Sequence, residues 1–173
     1  MDLTGKRVAI LVEDFYEDLE LWYPYYRLKE AGAEVVLLGT GKARYESKHG
    51  YPAEEDLLVD DAQAREYACV IVPGGYSPDH MRRHPPMIDF VRQAHEHGAV
   101  IAFICHGGWM PVSAGILKGR TATSFYAIKD DLVNAGANWA DAEVVRDGNL
   151  ISSRTPHDLP AFMKAILEAL AGT

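Results

Sequence analysis

The segment Cys105–Gly108, with the residues Cys-His-Gly-Gly, points most directly to chemistry. It follows the apolar run Val100–Ile104 and precedes the apolar helical stretch Trp109–Ala114. A strand that turns at once into a helix lifts the side chain at the turn out of the sheet, as in the nucleophile elbow of hydrolases. The start of the next helix would also lower the pKa of the thiol. We therefore expect Cys105 to be a nucleophile with His106 as its base, the alternative being a buried core thiol.

Two other predicted strand ends carry residues that could complete such a site. Gly74–Gly75 follows an apolar strand, and its N–H groups, with that of His106, could stabilise an oxyanion, although a glycine pair is more often only a turn. Glu17 follows the first strand, where it is either a site carboxylate or a favourable charge at a helix start, and the residues alone leave both open. Ligands bind at the carboxyl ends of strands in open α/β sheets, so we expect these ends to converge.

The elements that must position these residues follow from apolar periodicity. Short apolar runs alternate with amphipathic stretches, which is typical of a parallel sheet covered on both faces and predicts an α/β fold. The predicted strands are Arg7–Glu13, Glu34–Gly39, Ala68–Val72, Val100–Ile104, Glu143–Arg146 and Leu150–Ser153, and the predicted helices are Glu17–Ala31, Pro86–His97, Trp109–Ala114, Ile128–Ala135 and Leu159–Leu170. We expect a small antiparallel excursion over residues 40–58 and a kink at Pro24.

Composition limits the function classes. The 173 residues include 17 Lys+Arg against 25 Asp+Glu, a net charge of −8, and 48% are apolar, which predicts one domain over residues 1–173. This charge disfavours general nucleic-acid binding. No apolar run approaches the ~20 residues of a membrane-spanning helix, and no signal peptide is evident, so we expect a cytoplasmic location without membrane association.

Cysteine and histidine positions indicate few ligand sites. Two cysteines are too few for a disulfide framework, and Cys69, inside an apolar strand, is expected to be a core thiol. His95 and His97 are two residues apart and cannot share a helix face, so we expect surface histidines and no metal. No glycine-rich phosphate loop occurs, and we expect no cofactor.

Taken together, the sequence resembles the PfpI family of the class I glutamine-amidotransferase-like superfamily over nearly its whole length. The matching segments are Phe15–Leu21, Tyr23–Tyr25, Arg27–Glu30, Lys48–Tyr51, Val72–Gly75, Ile104–Gly107, Ser113–Gly115, Lys129–Leu132, Asn134–Gly136, Ser152–Arg154, Pro156 and Asp158–Leu159. The resemblance implies a flavodoxin-like three-layer sandwich with Cys105 as the elbow nucleophile. It also implies that a protonated Glu17 is hydrogen-bonded to the sulfur, and that Asp79 of a neighbouring subunit partners His106, in at least a homodimer.

The resemblance offers two kinds of enzyme. Family members are described as intracellular cysteine peptidases, and as glyoxalases or deglycases acting on methylglyoxal and its adducts with amines, thiols and nucleobases. We favour reactive-carbonyl chemistry, in which Cys105 adds to the carbonyl, Gly75 and His106 N–H groups hold the oxyanion, and Glu17 or His106 moves protons. A non-enzymatic role, with Cys105 as an oxidation sensor in a chaperone-like stress protein, is the third reading.

Overall fold

A computed structural model describes residues 1–172 of the chain. Its strands are β1 (Arg7–Leu11), β2 (Glu34–Gly39), β3 (Arg44–Glu46), β4 (Pro52–Glu54), β5 (Leu57–Leu58), β6 (Cys69–Val72), β7 (Val100–Ile104), β8 (Thr121–Ala122), β9 (Asn138–Trp139), β10 (Val144–Asp147) and β11 (Leu150–Ser153). Its α-helices are α1 (Asp18–Glu30), α2 (Ser77–Met81), α3 (Pro85–Glu96), α4 (Trp109–Ala114), α5 (Lys129–Asn134) and α6 (Leu159–Ala171).

The central sheet carries the site. Within residues 1–172 it contains seven strands in the order β10-β11-β7-β6-β1-β2-β5, and every pairing is parallel except that of β10 with β11. The strands β1, β6 and β7 are neighbours, so their carboxyl ends lie side by side. This arrangement brings together the three strand ends that the sequence singled out, and the predicted α/β sandwich with a mainly parallel sheet is confirmed.

Burial on both faces explains the continuous apolar runs. Val8 and Ile10 of β1 belong to one core cluster, and the alternating residues Ala9 and Leu11 belong to the other. The first cluster includes residues of α1 and α6, and the second includes residues of α3 and α4. A strand buried on both sides needs apolar residues at every position, which is why these strands read as unbroken apolar runs.

Several local expectations differ from the structure. The excursion forms the antiparallel β3–β4 pair, but β5 joins the main sheet parallel to β2. Helix α1 runs from Asp18 to Glu30 with Pro24 inside it, and the expected kink at Pro24 stays a prediction. The short α2 and the two-residue strands β8 and β9 were not expected, because such segments are too short to show a period. No helix within residues 1–172 has the length and apolar character needed to cross a membrane.

Candidate active site

Cys105 occupies the sharp turn between β7 and α4. Its φ is +60°, in the left-handed region that residues other than glycine rarely adopt, and Cys105–Gly108 form one turn of 3₁₀ helix before α4 begins. A Cβ on Gly107 would lie 2.4 Å from the carbonyl oxygen of Val72, so only glycine fits there. Strained backbone of this kind is typical of functional turns, and the predicted elbow is present.

The Gly74–Gly75 turn brings backbone donors to the sulfur. Gly75 has a φ of +76°, and a Cβ there would lie 2.3 Å from the carbonyl oxygen of Phe15. The backbone N–H groups of Gly75 and His106 lie close enough to the Cys105 thiol to lower its pKa. Two donors therefore converge on the sulfur, where negative charge would develop; that they serve as an oxyanion hole for substrate stays a prediction.

A buried carboxyl group, that of Glu20, completes the surroundings of the sulfur. Glu20 is 0% exposed, its Oε2 accepts a 2.7 Å hydrogen bond from the backbone N–H of Gly74, and its buried Oε1 has no hydrogen-bond partner among residues 1–172. A Cβ on Gly74 would lie 2.6 Å from this Oε2 and 2.8 Å from the Cβ of Cys105, so the missing side chain is what lets the two groups meet. Burial raises the pKa of Glu20 to about 8, so the group is protonated at neutral pH.

The position beside the sulfur that we expected for Glu17 is thus taken by Glu20, whereas a catalytic role for Glu17 stays a prediction. Glu17 precedes the first residue of α1 and lines the same cavity, but its Oε2 accepts a 2.9 Å hydrogen bond from Lys48 Nζ. Glu20 lies on the buried stripe of α1 with Pro24 and Leu28, at spacings of four residues. A lone carboxyl group in an apolar stripe is the sequence signal for it.

Cys105 is partly buried in the lining of the cavity. Burial and the adjacent Glu20 raise its pKa to about 12, against the lowering effect of the two backbone N–H groups and of Lys48. The expected lowering by the following helix is therefore not the dominant effect, because α4 has only six residues and the thiol is largely desolvated. Cys105 is held as a thiol beside a protonated acid, and it would need a base to become a thiolate; its role as a nucleophile stays a prediction.

His106 is placed to be that base. Its Nδ1 lies 3.3 Å from the sulfur of Cys105, and its ring contacts Trp109 and Phe125. Burial, with a smaller effect of Lys48, lowers the pKa of His106, so the imidazole is neutral at physiological pH. A neutral imidazole at this distance can accept the thiol proton.

Within one chain, Asp79 lies apart from Cys105 and His106. It sits on α2, its side chain is 41% exposed, and it is ion-paired with Arg83 one helical turn on. Among the residues that the structure describes, the lining of the Cys105 cavity does not include it. The expectation that Asp79 serves His106 from a neighbouring subunit stays a prediction.

The cavity over the sulfur has a volume of about 510 Å³. Tyr76, Trp109 and Phe125 line it with aromatic surface, and Glu17 and Lys48 form an ion pair within its lining. Glu20, Cys105 and His106, which also line it, are uncharged near neutral pH, because burial disfavours the charged form of each. A small, mostly uncharged pocket of this size suits a small organic ligand.

Two other expectations concern cysteine and metal. Cys69 is fully buried and burial raises its pKa, so its prediction as a core thiol is confirmed. Among residues 1–172, two clusters place three possible metal-ligand side chains close together. One cluster is Glu13, Asp14 and His80, and the other is Glu17, Asp18 and His49. Their carboxylates already have partners: Lys42 and the Glu46 N–H for Asp14, Thr40 and the Asp14 N–H for Glu13, Lys48 for Glu17, and Ser47 and His49 for Asp18. We assign no metal to either group.

His95 and His97, at the end of α3, differ in burial. His97 is exposed, as expected. His95 is partly buried, with its Nδ1 3.1 Å from the side-chain nitrogen of Asn149, so its prediction as a surface residue is wrong. Its partner lies in the turn between β10 and β11, which helical periodicity in α3 could not indicate.

A cysteine on such an elbow defines a class of α/β proteins that carry a nucleophilic thiol at the carboxyl edge of a parallel sheet. Within that class the chain belongs to the DJ-1/PfpI family, whose sequence model matches residues 6–169. The resemblance inferred from the sequence motifs is therefore confirmed.

Several known proteins are similar to this chain over nearly its whole length. Deglycase PfpI of Pyrococcus furiosus is 42% identical over 164 residues, which cover 95% of this chain and 99% of the relative. A Bacillus subtilis protein named "Putative cysteine protease YraA" is 38% identical over 168 residues, covering 96% of this chain and 99% of that protein.

Solved structures agree with the fold. A two-domain protein of Anabaena variabilis, with DJ-1/ThiJ/PfpI-like and ferritin-like domains, superposes with a TM-score of 0.94 at 44% identity. The match covers 96% of this chain and 48% of that one, so this chain spans about half of the two-domain protein. DJ-1beta of Drosophila melanogaster gives a TM-score of 0.90 at 26% identity, covering 98% of this chain and 92% of that protein.

Proposed function

We propose that the protein is a cysteine-dependent deglycase or glyoxalase that acts on reactive carbonyls. Its substrates are methylglyoxal or glyoxal and their early adducts with the amines of proteins, and with nucleotides as a further class. The observation that carries the proposal is the pair formed by Cys105 and a protonated Glu20, with neutral His106 on the sulfur. The deglycase names of relatives that are 42–43% identical support the same chemistry.

The first step forms a carbon–sulfur bond. His106 accepts the thiol proton, and the sulfur of Cys105 attacks the former aldehyde carbon. With free methylglyoxal the aldehyde oxygen becomes an alkoxide, which the N–H groups of Gly75 and His106 stabilise until it is protonated. With an adduct the carbon–nitrogen bond breaks instead, and the amine leaves with the proton from His106. Both routes give the same hemithioacetal on Cys105.

The second step is an internal redox change that needs no external oxidant. His106, which is neutral again after the first step, accepts a proton from the sulfur-bearing carbon and returns a proton to the neighbouring carbonyl carbon through an enediol. The first carbon thereby becomes a thioester and the second becomes an alcohol, so electrons balance within the substrate. The protonated carboxyl of Glu20 can donate a hydrogen bond to the developing enediolate oxygen, which an ionised carboxylate would repel. Water then cleaves the thioester, releasing a hydroxy acid and regenerating the thiol.

A cysteine peptidase is the second candidate. The 3.3 Å approach of His106 Nδ1 to the sulfur and the name of the Bacillus relative favour it. Peptide cleavage requires an acid that orients the histidine, and the acid we propose is Asp79 of a second copy in a homodimer or larger assembly. Carbonyl addition followed by proton shifts needs no such third group, so we favour deglycase chemistry. The raised pKa of Cys105 also disfavours a sensor role, because readily oxidised cysteines have low pKa values.

The net charge of −8 limits how nucleotide adducts could be recognised. Such a charge gives no general attraction to the phosphate backbone, so recognition would fall on the adduct itself. We further propose a cytoplasmic location, where reactive carbonyls from metabolism would be met.

A substrate comparison tests the proposal. Wild-type protein is incubated under identical conditions with methylglyoxal, a methylglyoxal-treated peptide and casein, and hydroxy acid, free amine and new peptide termini are quantified. The proposal expects hydroxy acid from the first two substrates and amine from the second. Casein cleavage without hydroxy acid would favour the peptidase candidate over the proposal. If none of the three substrates is turned over, both candidate functions are contradicted.

A further inference from the structure

Two carboxyl groups on the same helix start reach the Cys105 cavity, and their surroundings differ. Glu20 is fully buried, while the Glu17 side chain is 12% exposed and paired with the ammonium group of Lys48. When one pocket holds two carboxyl groups in such different environments, the two can take different roles, one as an acid and the other as a base. The chemistry above uses the acid, and it leaves the second carboxyl group without a role.

Glu17 lies directly against the proposed oxyanion turn. Its backbone N–H donates to the carbonyl oxygen of Gly74 at 3.2 Å, and a Cβ on Gly75 would lie 2.7 Å from its backbone nitrogen. Lys48 engages Oε2, and no hydrogen bond in the described part of the chain occupies Oε1. A carboxylate oxygen is therefore available at the cavity wall beside the turn that would hold a thioester carbonyl.

Lys48 is held in place by a network below it. Its backbone N–H donates to the carbonyl oxygen of Tyr16, which precedes Glu17 in the chain. The hydroxyl of the preceding residue, Ser47, accepts from the N–H groups of His49 and Tyr51 and donates to Asp18. The loop between β3 and β4 is thus tied to the start of α1, and it carries the one cationic side chain that lines the cavity among residues 1–172.

We infer that Glu17 is the general base for the hydrolytic step and that Lys48 is a positioning residue, which orients this carboxylate through the 2.9 Å contact with its Oε2. This inference rests on the proposed function. A water held at Oε1 attacks the thioester carbon and gives its proton to Glu17. The carbon–sulfur bond breaks, the sulfur leaves as a thiolate, and a proton from the solvent or from His106 restores the thiol. No oxidant or further co-reactant takes part.

Single-turnover measurements separate this step from the earlier ones. Wild type, Glu17→Gln and Lys48→Met are mixed with methylglyoxal and quenched at intervals, and intact mass spectrometry follows the acyl group on the protein. Matched controls on the outer face of α1 are Glu30→Gln and Lys29→Met. Hydroxy acid is measured in the same samples.

The expected result for Glu17→Gln is accumulation of the acyl group on Cys105 at an undiminished rate, with hydroxy acid release slowed roughly 10²- to 10⁴-fold. Hydroxylamine, which cleaves thioesters without a protein base, should clear the accumulated species. Lys48→Met should slow release roughly tenfold, the effect of losing one charge-assisted hydrogen bond, and Lys48→Arg should restore most of it. The two control variants should match wild type.

Other outcomes are decisive against the inference. Hydroxy acid release at the wild-type rate by Glu17→Gln, or equal slowing of acylation and release without an accumulated acyl group, overturns it. If Glu17→Gln does not fold, Glu17→Asp and Lys48→Met carry the same test. A wild-type protein that neither acquires the acyl group nor consumes methylglyoxal contradicts the proposed function instead, so the two failures are distinguishable.

Discussion

The proton on Glu20 can be tested through stability. The pKa of this group is 4.5 in an unfolded chain and about 8 in the folded protein, where burial disfavours the charged form. A folded pKa above the unfolded value means that the contribution to stability is fully present below pH 4.5 and is lost as the pH rises through about 8. Each pH unit in that window is worth about 1.4 kcal/mol, so wild type should lose about 3 kcal/mol of unfolding free energy from this group between about pH 5 and about pH 7.5.

Glu20→Gln removes the titration while keeping the shape of the protonated carboxyl. Its amide oxygen can accept from the Gly74 N–H, and its NH₂ group can face Cys105. The unfolding free energy of the variant minus that of wild type should therefore grow by about 3 kcal/mol across the same pH interval. Taking this difference cancels the contributions of other groups that titrate in both proteins.

The assay is urea unfolding at matched protein concentration, followed by tryptophan fluorescence and circular dichroism at several pH values. Glu30→Gln, an exposed carboxyl group on the same helix, is the control and should give a pH profile parallel to wild type. If Glu20→Gln is also parallel to wild type, Glu20 is not held protonated by the fold, and the assignment of this residue as the acid beside Cys105 is refuted.

Two further predictions concern the elbow and the core thiol. Gly107→Ala should lower the unfolding free energy by roughly 1–3 kcal/mol and abolish activity, because the new Cβ meets the Val72 carbonyl oxygen. The control is Gly172→Ala, because Gly172 has a φ of −88° and a Cβ there would lie 3.5 Å from the nearest atom, the Glu168 carbonyl oxygen. This control should keep the wild-type stability and activity, and an equal loss in both variants would contradict the packing argument. Labelling with a thiol reagent should modify Cys105 but leave the fully buried Cys69 unmodified until urea unfolds the protein, so rapid native labelling of both thiols would be the contrary result.

The sheet could be predicted because its signal is local. A strand buried on both faces must be apolar throughout, so β1, β6 and β7 are visible as runs, and the Cys-His-Gly-Gly turn marks the end of β7. The convergence of three strand ends then follows from parallel topology alone. The same reasoning could not detect α2, β8 or β9, because segments of two to five residues show no period.

The acid beside the sulfur could not be assigned from local pattern, for a tertiary reason. Glu17 and Glu20 are three residues apart at a helix start, where any carboxyl group is favourable, and only the packing of α1 against the Gly74 turn decides which is buried. The pKa of Cys105 depends in the same way on burial that sequence does not show. Contacts between elements distant in the chain therefore determine which glutamate is buried beside the sulfur and whether that glutamate is protonated.

The central claim is that Cys105 is the nucleophile of a reactive-carbonyl enzyme, and one measurement tests it most directly. Hydroxy acid formed per methylglyoxal consumed is compared for wild type, Cys105→Ser and the control Cys69→Ala at equal protein concentration. We predict one hydroxy acid per methylglyoxal for wild type and for Cys69→Ala, and none above the protein-free rate for Cys105→Ser. Hydroxy acid formation by Cys105→Ser at the wild-type rate would contradict the claim.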